Sequence, residues 1–239
     1  MKPTPGLAMR LTLTSLLLAG CASVLDEHGI PTTTFSPKHL AKGDMDRVAD
    51  TTRQEIREGL LKLAEKLYRR NPKEWRKQPV ASIEEAVQRL RRQILPSTEL
   101  SGIREGGVTL KAFATDYTGD RVAAFILGLL QMSDAAFNYQ EEFFMLDRVD
   151  HQKLYNLARN FEIAAWKLGH AKNPLGELWL LSNSLSEKEN NLSFEREFGR
   201  LIGLLDFHVK LMTDATGRSV TRFTQSIASA IFIPIGFLR

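Results

Sequence analysis

The run Asp120-Arg121-Val122-Ala123-Ala124-Phe125-Ile126-Leu127-Gly128-Leu129-Leu130-Gln131-Met132 decides the fold of this chain. From Val122 to Met132 nearly every position is apolar, so a helix here has no face left for water. A helix that is apolar all round belongs in the middle of a bundle. Asp120 is a good N-cap for it. The pattern carries the helix to about Arg148.

The segments on either side read as the helices that surround it. Upstream, Val48, Thr52, Ile56, Leu60, Leu63 and Leu67 recur at steps of three and four, which predicts a helix over 44–71. Asp44 is placed to cap it, and Pro72 disfavours a helical residue before it. Ser82 and Glu85 form a capping box for a second helix with Ile83, Val87, Leu90 and Ile94 on one stripe, stopped at Pro96. Downstream, Asp150 caps a helix bearing Leu154, Leu157, Phe161, Ala165 and Leu168, closed at Asn173-Pro174. A last long helix carries Phe194, Phe198, Leu201, Leu205, His208, Met212 and Ala215, with Ser186/Glu189 or Ser193 as its start and Gly217 as its break. Five main helices with short connections predict an all-α helical bundle. One minor hairpin is left open. Val108-Thr109-Leu110-Lys111 alternates as a strand does and equally suits a helical turn, and residues 177–181 are its candidate partner.

The chain begins differently. Lys2 and Arg10 precede an apolar run over 11–19, of signal-peptide length and too short for a bilayer. Leu18-Ala19-Gly20-Cys21 follows and contains the one cysteine of the chain. A thiolate is the side-chain nucleophile that can take a diacylglyceryl group as a thioether. The segment resembles the lipobox of a bacterial lipoprotein signal peptide. That resemblance implies cleavage before Cys21, lipidation of Cys21, and acylation of the new amino terminus. Ala22-Ser23 lacks the aspartate that retains such proteins at the inner membrane, which implies the periplasmic face of the outer membrane. The expected organisation is a leader over 1–20, a lipidated Cys21 with a flexible tether over 21–43, and one α-helical domain over 44–239. The tether reading rests on Pro31, Thr32-Thr33-Thr34, Ser36-Pro37 and Gly43.

Composition limits the function classes. The mature chain would hold 239 − 20 = 219 residues, enough for a core without staples. Its Lys and Arg fall from 32 to 30 against 28 acids, a net charge of +2. So small an excess gives no reason to expect nucleic acid. GxSxG, HExxH, CxxC, GxxxxGK[ST] and GxGxxG are all absent, and no glutamate has a histidine three residues on. No catalytic residue, metal ligand or cofactor is therefore assigned. Gly128-Leu129-Leu130-Gln131 faintly resembles a segment of helical lytic transglycosylases, but the Glu-Ser pair upstream is missing. Leu192-Ser193-Phe194-Glu195-Arg196 resembles the Leu-Ser-x-x-Arg helix of OmpA-like peptidoglycan-binding domains, but their strands and preceding aspartate are missing. His208 lies on an apolar stripe, where a histidine is usually a satisfied core residue.

One surface stretch stands out. Arg69, Arg70, Lys73, Arg76 and Lys77 surround Trp75, with Arg89, Arg91 and Arg92 further on. Arg forks suit phosphate and Trp suits a membrane interface, so the stretch is a candidate contact for an anionic partner or membrane surface. Bases at a helix C-terminus are also favourable with no ligand at all. The apolar tail over 227–238 contains Pro234 and cannot span a bilayer, so it needs a cover. Docking on the chain's own bundle is favoured over a partner, because a local groove costs no association entropy. The expected role is that of a lipid-anchored, periplasm-facing envelope protein that is structural or binds a partner. An envelope enzyme with unassigned residues and a carrier of a lipid or other apolar ligand are the alternatives. Glu141, Glu142, Glu162 or His208 lining a cleft would point to the enzyme. A large apolar cavity beside the 120–148 helix would point to the carrier.

Overall fold

Burial follows the apolar pattern. The computed structural model describes residues 43–144, 149–185, 190–222, 226–227 and 230–235. Among these are seven α-helices, five of them longer than one or two turns: α1 (Asp44–Arg70), α2 (Pro72–Trp75), α3 (Ile83–Arg91), α4 (Gly106–Lys111), α5 (Arg121–Ala136), α6 (His151–His170) and α7 (Ser193–Thr216). The architecture is an all-α helical bundle. Two-residue strands β1 (Ser184–Leu185) and β2 (Asn190–Asn191) pair antiparallel just before α7. Cys21 and the leader lie outside the described residues, as do Ser186 and Glu189.

Every residue of α5 except Gln131 and Asp134 is buried. Its neighbours are α1, α4 and α6, with α2 and α3 against its ends. α1 runs antiparallel to it, with Tyr68 meeting Asp120 at one end and Arg53 facing Asp134 at the other. α7 runs antiparallel to both α1 and α6. Lys62 meets Glu197 and Arg200 meets Glu55 on the α1 side, and Arg159 meets Asp206 on the α6 side. Phe113, Phe125, Phe198 and Phe161 form an edge-to-face series through the core, with centroids 5.7, 6.4 and 6.5 Å apart.

The predicted stripes are the buried ones for the most part. Thr52, Ile56, Leu60, Leu63 and Leu67 of α1 are buried, as are Leu154, Leu157, Phe161 and Leu168 of α6. In α7, Phe194, Phe198, Leu201, Leu205 and His208 are buried, whereas Ala215 is exposed. Asp120, Asp150 and Ser82 act as N-caps, accepting from the backbone N–H of Ala123, Gln152 and Glu85. Asp44 is instead the first residue of α1, and Leu192 rather than Ser193 precedes α7. Pro72 ends α1 and starts α2, since its missing N–H is harmless in a first turn.

Two expectations are corrected, and the open reading of residues 108–111 is decided. α5 stops at Ala136 and does not reach Arg148. Asn138 and Tyr139 both take left-handed backbone (φ 55° and 59°), and the Tyr139 N–H donates back to the Asp134 carbonyl at 2.7 Å, closing the last turn. α3 stops at Arg91 for the same reason, with Gln93 left-handed and the Ile94 N–H bonded to the Arg89 carbonyl, so Ile94 leaves the stripe and is exposed. Residues 108–111 are helical, inside α4. The partner of residues 177–181 is the stretch just after α6, through a Lys172–Leu178 bridge and the Trp179 N–H on the Ala171 carbonyl.

Gly128 has a structural reason. A Cβ there would come within 2.1 Å of Thr109 Oγ1 and 2.5 Å of the Glu105 carbonyl oxygen. α4 crosses α5 at this glycine because no side chain separates them. That packing accounts for the glycine without any enzyme motif.

The tail docks on the bundle where it is described. Ala230 and Ile235 are buried, and the Phe232 ring fills the space a Cβ at Gly106 would need. Asn160, fully buried in α6, holds the backbone of Ile233 from both sides. Its Nδ2 donates to the Ile233 carbonyl at 2.8 Å, and the Ile233 N–H donates to its Oδ1 at 2.7 Å. Ile231 remains 71% exposed.

Candidate functional site

A concavity among the described residues lies where three helix ends converge. α1 contributes its first turns with Met45, Asp46 and Ala49. The start of α6 contributes Val149, Asp150, His151 and Lys153. The last turns of α7 contribute His208, Met212, Ala215 and Thr216, with Arg218 just beyond. The antiparallel packing of α7 on α1 and α6 is what brings these termini together. The groove measures about 820 Å³, within the range of small-molecule sites.

Its wall is mostly apolar, and its one deeply buried polar side chain is His208. That ring is 1% exposed, and its Nδ1 finds no hydrogen-bond partner among the described residues. Phe137 lies beside it, with ring centroids 6.5 Å apart. Burial pushes the imidazole down to about 4 from 6.5, so the ring is neutral at physiological pH. At the rim, Lys153 donates to Asn138 Oδ1 at 2.9 Å and Asp150 caps α6. Asn138 is held there by the left-handed turn that ends α5.

The depressed His208 predicts a pH dependence of stability with a definite sign. Above pH 6.5 the ring is neutral both folded and unfolded. Between 6.5 and about 4 the unfolded ring takes a proton that the folded ring refuses, so stability falls as pH falls, by about 3 kcal/mol in all. Urea unfolding of the wild type and of His208→Phe across this window should differ by that slope. Parallel curves would mean that His208 is not the group resisting protonation.

A second cleft, of about 430 Å³, is polar and is lined by Arg53, Arg57, Gln93, Asp134, Tyr139, Glu141 and Glu142. Arg53 and Arg57 both face Asp134, at 3.8 and 3.7 Å, and Gln93 donates to the same carboxylate. The charges here largely satisfy one another. Glu141 and Glu142 are therefore in one cleft and His208 in another, while Glu162 pairs with Arg159 on α6. These four do not converge into an acid–base arrangement. The groove is also not the cavity expected beside the central helix, since α5 reaches it only through Asn138, past its end. Among the described residues no group of three metal-ligating side chains occurs, and no helix is long and apolar enough to cross a membrane.

The basic stretch divides on close view. Arg69 is exposed and pairs with Glu65 at 2.6 Å. Lys77 pairs with Glu74 at 2.8 Å and donates to the Gly119 carbonyl. Arg70 is half-buried at the end of α1. Trp75 packs against the core with the Arg76 guanidinium 5.1 Å from its ring centroid. Lys73 and Arg76 are exposed. Arg89 donates to Gln78 and Arg91 pairs with Glu58, so neither extends the patch.

Behind this stretch lies a buried polar cluster that periodicity did not reveal. Asp120 Oδ2 accepts from Tyr68 at 2.9 Å and from Gln78 Nε2 at 2.7 Å, and its Oδ1 caps α5. Arg89 donates to Gln78 Oε1, which fixes the orientation of that amide. Burial raises the Asp120 carboxyl despite these three donors, and burial beside Asp120 raises Tyr68. The cluster ties α1, α3 and α5 together and opens into neither cleft.

No protein-family model matches this chain, no curated protein matches it, and no solved structure matches it.

Proposed function

We propose that this chain is a lipid-anchored protein of the bacterial envelope, held through Cys21 on the periplasmic face of the outer membrane, whose helical domain works by binding. The anchor half of the reading rests on Leu18-Ala19-Gly20-Cys21 after its basic and apolar leader. Two or more acyl chains at about 0.8 kcal/mol per buried CH₂ hold a protein on a membrane stably. Lys73 and Arg76 would add up to about 1 kcal/mol each near an anionic leaflet, an amount that salt removes.

The observation that carries the binding half is the groove around His208. It has the volume of a ligand site and an apolar wall. It lacks a second buried acid or base with which His208 could run proton-transfer chemistry. An enzyme would need such a pair or a nucleophile there. A purely structural part would have no use for an open, mostly apolar groove of that size.

The anchor is tested by labelling cells with radioactive palmitate. Wild-type protein should take up label and fractionate with outer membranes. Cys21→Ser should take up none and keep its leader. Label entering the Cys21→Ser variant would remove the basis for the anchor.

A further inference from the structure

We propose that one end of the bundle, where α1 and α6 finish and α7 starts, is a docking surface for an anionic lipid bilayer, touched by Leu175, Leu181, Leu192 and three bases. The proposal deepens the membrane placement above by naming the end of the domain that meets lipid. Its test uses a chain without Cys21, so each can fail alone.

The antiparallel packing of α7 on α1 and α6 brings these three helix ends together. Three large apolar side chains stand out from the connection between α6 and α7. Leu175 is 84% exposed, more than any other large apolar residue described, Leu181 is 50% and Leu192 is 44%. None of them is on slack chain. Leu175 tops a turn closed by the Gly176 N–H on the Asn173 carbonyl, and Asn173 Oδ1 accepts from the Leu175 and Glu177 N–H groups. Asn71, just past α1, holds the Leu181 N–H and carbonyl at 2.8 and 2.9 Å. Leu192 leads into α7, whose first two N–H groups donate to Asn191 and Asn183. The backbone thus fixes three leucines in water, and apolar side chains gain by leaving it.

Each leucine has a base beside it. Lys172 precedes the turn that carries Leu175, Lys73 lies two residues beyond Asn71, and Arg196 is one helical turn from Leu192. All three are exposed, and among the described residues none pairs with a carboxylate. The acids of the same segments are occupied. Glu65 pairs with Arg69 and Glu74 with Lys77, while Glu177 and Glu195 accept from Asn173 and Asn183.

Two observations choose lipid over an acidic protein. Binding hot spots between proteins favour Trp, Tyr and Arg, with Leu under-represented and Lys depleted. Lysine beside an anionic leaflet is favoured outright. The leucines also stand at separate points with asparagines around them. A protein would need a pocket fitted to each, whereas a fluid leaflet moulds to all three. The stretch over 22–43 can span up to about 70 Å, past the roughly 40 Å length of α1, so an anchored chain can set this end on its own leaflet.

The test is co-sedimentation of the chain from residue 22 onward with vesicles of phosphatidylethanolamine and phosphatidylglycerol, roughly three to one, and with phosphatidylcholine vesicles. The expected result is binding to the anionic vesicles alone, lost at high salt. Leu175→Ser, Leu181→Ser and Leu192→Ser together, or Lys73→Gln, Lys172→Gln and Arg196→Gln together, should weaken it at least tenfold with an unchanged melting temperature. Phe207→Ser removes an exposed aromatic further along α7 and should change nothing. Should the leucine variant unfold, Leu175→Cys replaces it. The chain after Cys21 has no cysteine, so a polarity-sensitive dye on that position alone should shift to the blue on anionic vesicles. Binding that neither triple variant weakens, or a dye that stays silent on the bound chain, would put the contact elsewhere and overturn the proposal. No binding to anionic vesicles at low salt would overturn it as well and leave these leucines to a protein partner.

Discussion

A soluble chain cut after Ala230 should melt roughly 10 °C below the chain that runs to Arg239. The tail is a structural part of the bundle in this account, and its removal exposes what it covers. Ile235 is fully buried, and burying a side chain of that kind contributes about 1.5–3 kcal/mol. Phe232 fills the notch over Gly106, which has no side chain of its own to cover the site. Two hydrogen bonds between Asn160 and the Ile233 backbone add about 1 kcal/mol each. Together these come to about 4 kcal/mol, and in a chain of this size each kcal/mol moves the midpoint by about 2–4 °C. Asn160→Leu separates the two contributions. It leaves the tail in place but strands the Ile233 N–H and carbonyl, and should cost about 2 kcal/mol. A truncated chain that melts with the full one, and has lost membrane or partner binding, would make the tail a contact for something else.

Asp120→Ala should be the most damaging single substitution away from the hydrocarbon core, at about 3–5 kcal/mol. The loss of an N-cap accounts for about 1 kcal/mol. The rest comes from the Tyr68 hydroxyl, which would lose its acceptor, and from the Gln78 amide, which would keep only the long 3.4 Å bond to Tyr68. Tyr68→Phe alone removes one donor cleanly and should cost only about 1 kcal/mol. Added to Asp120→Ala, it should restore part of the loss, because the stranded hydroxyl is then gone. Urea midpoints of the two single variants and the double variant give this directly. An Asp120→Ala chain within 1 kcal/mol of wild type, or a double variant with additive losses, would show that the cluster does not bind α1, α3 and α5 together.

The folding pattern was legible where one element carried the whole signal. The apolar run over 122–132 reported its own burial, because no choice of helix phase could expose a polar face. The Ser82/Glu85 capping box was readable because both partners lie within one turn, and Glu85 does reach back, to the Ala81 N–H. Tail docking followed from the length of an apolar run that water would not tolerate.

The misses are of two kinds. Helix ends set by left-handed residues were misread. Asn138-Tyr139 and Gln93 are not glycines, and the residues after them keep an apolar rhythm that imitates a longer helix. Long-range assembly was the second. His208 read as a buried histidine, which it is, but the groove it lines is completed by Met45 and Val149 from two distant segments. The Asp120 cluster was hidden in the same way: Asp120 read only as a cap, while Tyr68 and Gln78 reach it from 52 and 42 residues away. Trp75 and its bases had two readings, a contact for an anionic partner and a basic helix end with Trp75 packed inward, and the ring does pack against the core.

The central claim is that the mature chain begins at a lipidated Cys21, which anchors the helical domain. The most direct measurement is the intact mass of the protein extracted in detergent from bacterial membranes, with fragmentation of its first residues. The account predicts a chain starting at Cys21, with a diacylglyceryl group on sulfur and a further acyl chain on the new amino terminus. A chain that keeps its leader, or one that starts at Cys21 with a free thiol, would contradict it.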